Sequence, residues 1–178
     1  VGMREFACTP GQTVGPFFHC ALPYSGDNRL VGEDHPDAVR LHGTVYDGAG
    51  DPIPDALVEL WQPGPDGDVV AQPGSLRRDD DAFTGWGRCA TDAAGHYSFT
   101  TLMPPAFFAI TVFARGLLNR LFTRAYLPGG DPDSLLAGLD AARRDTLVCA
   151  AEPTGYRFDI HLQGEHETVF LAYHGDPR

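Results

Sequence analysis

The 178-residue sequence has no lysine; its thirteen cations are all arginine. Against them stand 24 Asp and Glu residues, giving a formal net charge of −11. Such a chain lacks the basic face that neutralises phosphates, which excludes a general nucleic-acid binder. No apolar run approaches the roughly 18 residues that a bilayer span requires. The N-terminus lacks the basic segment and apolar core of a signal peptide, so the cytoplasm is the expected compartment. The four cysteines (Cys8, Cys20, Cys89, Cys149) are widely spaced and form no CxxC. This argues against a disulfide scaffold or a zinc site and leaves reduced or buried thiols as the expectation. Neither a GxSxG nucleophile elbow nor a phosphate-binding glycine loop occurs. The seven histidines form no HxH or HxxxH pair. His161 and His166 lie five apart across a turn, a poor spacing for one metal ion. Asp79-Asp80-Asp81 could hold a hard cation, but a solvated loop is the simpler reading.

Hydrophobic residues at 43% and charged residues at 21% form an ordinary globular balance. A chain of this length buries roughly 70% of its extended-chain surface, enough for one full core. Gly (21) and Pro (15) are spread throughout, which suits many short strands joined by turns. Residues 9–36 show little periodicity and read as an extended arm and loop. We divide the chain into an arm over residues 1–38 and a β-sandwich over residues 39–178.

From Val39 the pattern changes. Val39, Leu41, Gly43 and Val45 alternate with Arg40, His42, Thr44 and Tyr46, the signature of a half-buried strand. Turn chemistry over residues 47–52 leads to a second strand at Ala56–Trp61, suggesting a hairpin-like pair. Residues 63–81 form a long loop. Strands follow at Gly85–Thr91, His96–Leu102, Ala106–Ala114 and Leu121–Leu127. One short helix is expected over 134–139, capped by Asp131 with Pro132 at its first position and extended by residues 141–144. Thr146–Ala150, Tyr156–Leu162 and Glu167–Tyr173 read as strands. Eight or nine short strands with turns between them predict an all-β antiparallel sandwich.

Three arginines, Arg115, Arg120 and Arg124, interrupt apolar strands. Arg115 ends the Ala106–Ala114 run and precedes Gly116, a position from which it can reach a carboxylate. On composition alone, an ion pair with one of the chain's own carboxylates is the simpler reading.

Several segments carry a resemblance. Leu41–Asp47, Gly50–Gln62 and Gly85–Thr101 resemble the intradiol ring-cleaving dioxygenases, although similar stretches occur in transthyretin-like and carboxypeptidase-regulatory-like sandwich modules. Thr9–Phe17 is similar to the N-terminal arm of the family's two-chain members. Phe113–Gly116, Leu121–Tyr126, Tyr156–Glu165 and Glu167–Phe170 are similar to their iron-free alpha chain. The likeness runs over residues 9–173. The family's catalytic chain holds non-haem Fe(III) with two Tyr and two His, the histidines forming an HxH. The resemblance puts Phe107 and Ala109 at those histidine positions and Val69 at one tyrosine; the segment bearing the other tyrosine is missing before Pro104-Pro105. Phe, Ala and Val offer no lone pair to ferric iron. The resemblance therefore implies that Fe(III) is bound by a partner beta chain, within an alpha–beta hetero-oligomer acting on a catechol acid and O₂. It places Thr13, Gly15 and Pro16 of the arm against the substrate ring in the partner's site, and Arg115 near the substrate carboxylate. A binding module without a catalytic role remains the alternative.

Overall fold

The alternation over residues 39–46 is met by a strand in which Leu41 and Val45 are fully buried while Arg40 is exposed. The computed structural model describes residues 12–70 and 82–173. Cys8, the start of the arm motif and the Asp79–Asp81 run lie outside them. In chain order the elements are α1 (Phe18–Ala21), β1 (Val39–Tyr46), β2 (Leu57–Trp61), β3 (Trp86–Ala90), β4 (His96–Thr101), β5 (Phe107–Phe113) and β6 (Leu121–Tyr126). They are followed by α2 (Ser134–Ala137), α3 (Ala141–Asp145), β7 (Ala150–Glu152), β8 (Gly155–Arg157) and β9 (Ile160–His161).

The strands form two sheets, as the sandwich reading requires. One runs β4-β1-β8-β7 with β9 also on β1; the other runs β3-β2-β5-β6. The second sheet is antiparallel throughout. The first is mixed, because β8 and β9 run parallel to β1. β1 and β2 do not pair as a hairpin. Tyr46 makes a single bridge to Pro52, and the chain then crosses to the other sheet. A crossing buries both strands against one core, which a hairpin at the edge would not.

The two sheets meet through alternate residues. Leu41, Val45, Tyr97 and Phe99 from one face pack with Val58, Leu60, Phe108, Ile110 and Val112 from the other. Two polar groups within the core are paired: the Tyr97 hydroxyl donates to the Phe158 carbonyl at 2.6 Å, and Thr101 donates to Gln62 Oε1 at 2.8 Å. Gly43 is needed where β1 meets the β8–β9 connection, since a Cβ there would lie 1.9 Å from the Phe158 carbonyl oxygen. The end of the arm is tied in at Leu30, which is fully buried and exchanges backbone hydrogen bonds with Thr100 and Thr84.

The helical segment differs from the expectation. Asp133, not Asp131, caps α2, accepting from the amides of Leu135 and Leu136. Its other oxygen takes Arg124 and Tyr126, so tertiary partners select this aspartate. Residues 141–145 form a separate helix with its own cap, Asp140, rather than an extension of the first. The strand expected at Thr146–Ala150 begins only at Ala150. Tyr156–Leu162 divides between β8 and β9. Glu167–Tyr173 forms only a bridge, Leu171 to Phe122. The four-residue α1, in the arm, was not expected.

Candidate functional site

The residues singled out in the sequence fall in two regions, the outer face of the second sheet at Phe107 and Ala109 and the turn after β5; Phe122 lines the clefts at both. The outer face of the second sheet carries the odd-numbered residues of β5: Phe107, Ala109, Thr111 and Phe113. Their cross-strand partners follow the register, with Trp61 beside Ala109 on one side and Arg124 on the other.

At the C-terminal end of β5 the chain turns through Ala114, Arg115 and Gly116. Gly116 has φ +92°, a left-handed conformation that favours glycine. The arm is stapled to this turn. The Thr13 hydroxyl oxygen accepts from the Gly116 amide at 2.7 Å and lies 3.4 Å from the Ala114 carbonyl. Phe18 of α1 packs on Phe113, with ring centroids 5.3 Å apart. Thr13 thus binds the residues on both sides of Arg115. Gly15 and Pro16 follow two and three residues later, exposed, and nothing lies within 4 Å of where a Gly15 Cβ would sit. A cleft of about 230 Å³ opens between Gln12 and Val14 of the arm and Leu117, Asn119 and Arg120, but Thr13, Gly15, Pro16 and Arg115 do not line it. The structure therefore gathers the four residues singled out in the sequence at one end of the sandwich. It also adds a partner. Asp55, sixty residues away in sequence, forms an ion pair with Nε of Arg115; its side chain keeps 11% exposure against 58% for the arginine. No local signal distinguishes Asp55 among 24 acidic residues.

At the N-terminal end of β5, Phe107 and Ala109 line a cleft of about 340 Å³ with Trp61, Phe122, Arg124 and Tyr173. The Arg124 guanidinium lies over the Phe107 ring at 4.3 Å and donates to Asp133 at 3.0 Å. Partial burial works against charge on Asp133. The Leu136 amide, the Tyr126 hydroxyl and Arg124 outweigh it and hold the carboxyl below its ordinary range. Val69 is 87% exposed in the loop after β2 and lines neither cleft. Among the described residues no cluster of three His, Cys, Asp or Glu side chains could hold a metal. With an aromatic ring and a methyl group where imidazoles would stand, this cleft does not fit the iron that the resemblance implies.

The remaining candidates separate. Arg120 stacks on Phe122 at 4.9 Å. His161 stacks on Tyr46 at 4.8 Å and meets His166 edge-on at 6.1 Å, and burial lowers the His161 pKa. Neither histidine reaches the two clefts on β5.

Comparison with known proteins identifies the family. A dioxygenase family model matches residues 14–129. The protocatechuate 3,4-dioxygenase alpha chain of Burkholderia cepacia is 35% identical, over 95% of this chain and 99% of its own length. The beta chain of that enzyme, also from Burkholderia cepacia, is 31% identical over 88% of this chain and 76% of its own. Among solved structures, the dioxygenase domain of a dioxygenase–carbohydrate-binding protein fusion from Streptomyces sp. SirexAA-E superposes with a TM-score of 0.55 at 25% identity. That superposition covers 88% of this chain and 98% of the domain. The chain belongs to the intradiol ring-cleaving dioxygenase family.

Proposed function

We propose that this chain is the iron-free alpha subunit of a protocatechuate 3,4-dioxygenase and completes the substrate pocket of an iron-bearing beta chain. The observation that carries this reading is the make-up of the cleft on β5. From Ala109 the strand runs four residues to Phe113, about 13 Å of extended chain, before the turn that carries Arg115. In this reading the arm and Arg115 serve a ring bound in a neighbouring chain, because the chain's own cleft has Phe107 and Ala109 where the family's imidazoles are expected. The similarity of this chain to both alpha and beta relatives supports a pseudo-symmetric pair of sandwiches, repeated in a higher-order hetero-oligomer.

In this reading the division of labour is simple. The family is iron-dependent, and the Fe(III) that promotes attack of O₂ on the catechol ring is held by the beta chain. The ring opens between its two hydroxyl-bearing carbons to give 3-carboxy-cis,cis-muconate, within the β-ketoadipate route of aromatic catabolism. This chain contributes position and charge. Thr13 fixes the arm, Gly15 permits close backbone approach to the ring, and Pro16 stiffens the segment. Arg115 presents a planar fork to the substrate carboxylate. At a net charge of −11 the chain as a whole repels an anionic catechol acid, so attraction must be local. Residues 1–38 serve as the arm and residues 39–178 as the sandwich. The cytoplasm is the proposed compartment; Cys20, Cys89 and Cys149 are free thiols, as a reducing environment keeps them. Among the described residues, no helix is long and apolar enough to cross a membrane.

Co-expression with the beta chain of a neighbouring reading frame tests the assignment. The chain alone should be colourless and free of stoichiometric iron, and the co-purified pair should be coloured and active on protocatechuate. Stoichiometric iron in the chain alone, or failure to retain a beta chain, would overturn it.

A further inference from the structure

We infer that Asp55 is a positioning residue for Arg115, holding its guanidinium by Nε so that the terminal fork faces the substrate carboxylate. This rests on the reading of Arg115 given above.

The placement follows from the sheet. β2 and β5 pair antiparallel with Leu57 opposite Phe113. Asp55 and Arg115 lie in the turns just beyond that last pair, where the two side chains meet in an ion pair. The backbone that bears this carboxylate is braced as well. Thr91, itself buried, accepts from the Ala56 amide at 3.0 Å and donates to the Ile53 carbonyl at 2.7 Å, locking the turn that carries Asp55. On the other side, Thr13 fixes the Gly116 amide. The arginine backbone and its inner edge are thus both restrained.

The edge that is used decides the role. Arginine has five N–H donors in a planar fork, and a substrate carboxylate is best met by two parallel donors. Asp55 takes Nε, and the arginine side chain remains 58% exposed. A competitor for the substrate would cover the outer edge. A partner at Nε instead reduces the number of rotamers in which the head points outward, so less is lost on binding.

The test uses the assembled alpha–beta enzyme with Asp55→Asn, Asp55→Glu and Arg115→Ala, assayed on protocatechuate and on 4-methylcatechol, which lacks the carboxylate. Asp55→Asn should raise KM for protocatechuate about five- to tenfold and leave KM for 4-methylcatechol and kcat within about twofold. Asp55→Glu should recover part of the loss. Adding Asp55→Asn to Arg115→Ala should cost nothing further, because the group being positioned is gone. Lower KM in Asp55→Asn would mean that Asp55 competes with substrate, and equal shifts on both substrates would make the pair structural; either overturns the inference, as does no change. If Arg115→Ala discriminates between the substrates and Asp55→Asn does not, only the role of Asp55 falls. If Arg115→Ala fails to discriminate, the reading of Arg115 falls with it.

Discussion

Replacing Arg115 by alanine separates a substrate contact from a structural ion pair, because the two roles predict different magnitudes in different assays. A hydrogen bond to a charged group contributes about 1.5–3 kcal/mol. The arginine side chain is 58% exposed, so solvent screening favours the lower end. A loss of about 1.5 kcal/mol corresponds to roughly a tenfold rise in KM for protocatechuate. The same change should leave 4-methylcatechol nearly unaffected, since no carboxylate is there to be lost. Stability responds separately. Losing a half-exposed pair costs up to about 1 kcal/mol. Stranding Asp55, with 11% exposure, adds about 1 kcal/mol more. At 2–4 °C per kcal/mol for a domain of this size, the melting temperature should fall by about 4–8 °C. Steady-state kinetics on both substrates and a thermal melt provide the readouts. Equal KM changes on the two substrates, accompanied by a melting loss well beyond 10 °C, would refute the substrate contact and leave Arg115 as a structural residue.

Tyr97→Phe removes the donor to the Phe158 carbonyl at 2.6 Å and leaves that buried oxygen unpaired, so urea unfolding should show a loss of about 1–3 kcal/mol; a change below about 0.5 kcal/mol would refute the bond's role. Asp133, held below its ordinary pKa in the folded chain, stabilises the α2 cap fully above its unfolded value near 3.9 and loses that contribution as pH falls through the lower folded value. Acid unfolding should therefore be less steep in Asp133→Asn, and identical pH profiles would contradict the assignment. Burial pushes the Cys149 thiol up to about 12, while Cys20 is exposed. Thiol reagents at pH 8 should therefore label Cys20 in the native protein and Cys149 only on unfolding, as mass spectrometry of the labelled chain would show; fast native labelling of Cys149 would contradict its burial.

The strands were legible where one face is buried and the other is not. Residues 39–46 alternate at period two and 106–114 form a continuous apolar, β-rich run, and each strand appears within two residues of its expected bounds. The expectation that this chain holds no iron rests on a different ground. It depends on missing donor atoms at Phe107 and Ala109, and no fold restores a lone pair to a phenyl ring or a methyl group. What failed locally was sheet membership. The turn after Tyr46 suits a hairpin and an inter-sheet crossing equally, and only the burial of β2 against β1 across the core chooses the crossing. Asp131 and Asp133 are likewise equivalent caps by composition; Arg124 and Tyr126, brought in by β6, decide between them.

Residue chemistry by itself determined that Phe107 and Ala109 offer no lone pair and that Arg115, before Gly116, offers a guanidinium. Tertiary structure alone decided where those groups stand relative to one another. Pairing Leu57 with Phe113 brings Asp55 to Arg115 across sixty residues, and Thr13 closes on the same turn across a hundred. Contacts at that sequence separation depend on register and on which face of a strand is buried, properties of the whole sandwich. The strand that carries Phe107 and Ala109 leads at its far end into the turn that carries Arg115.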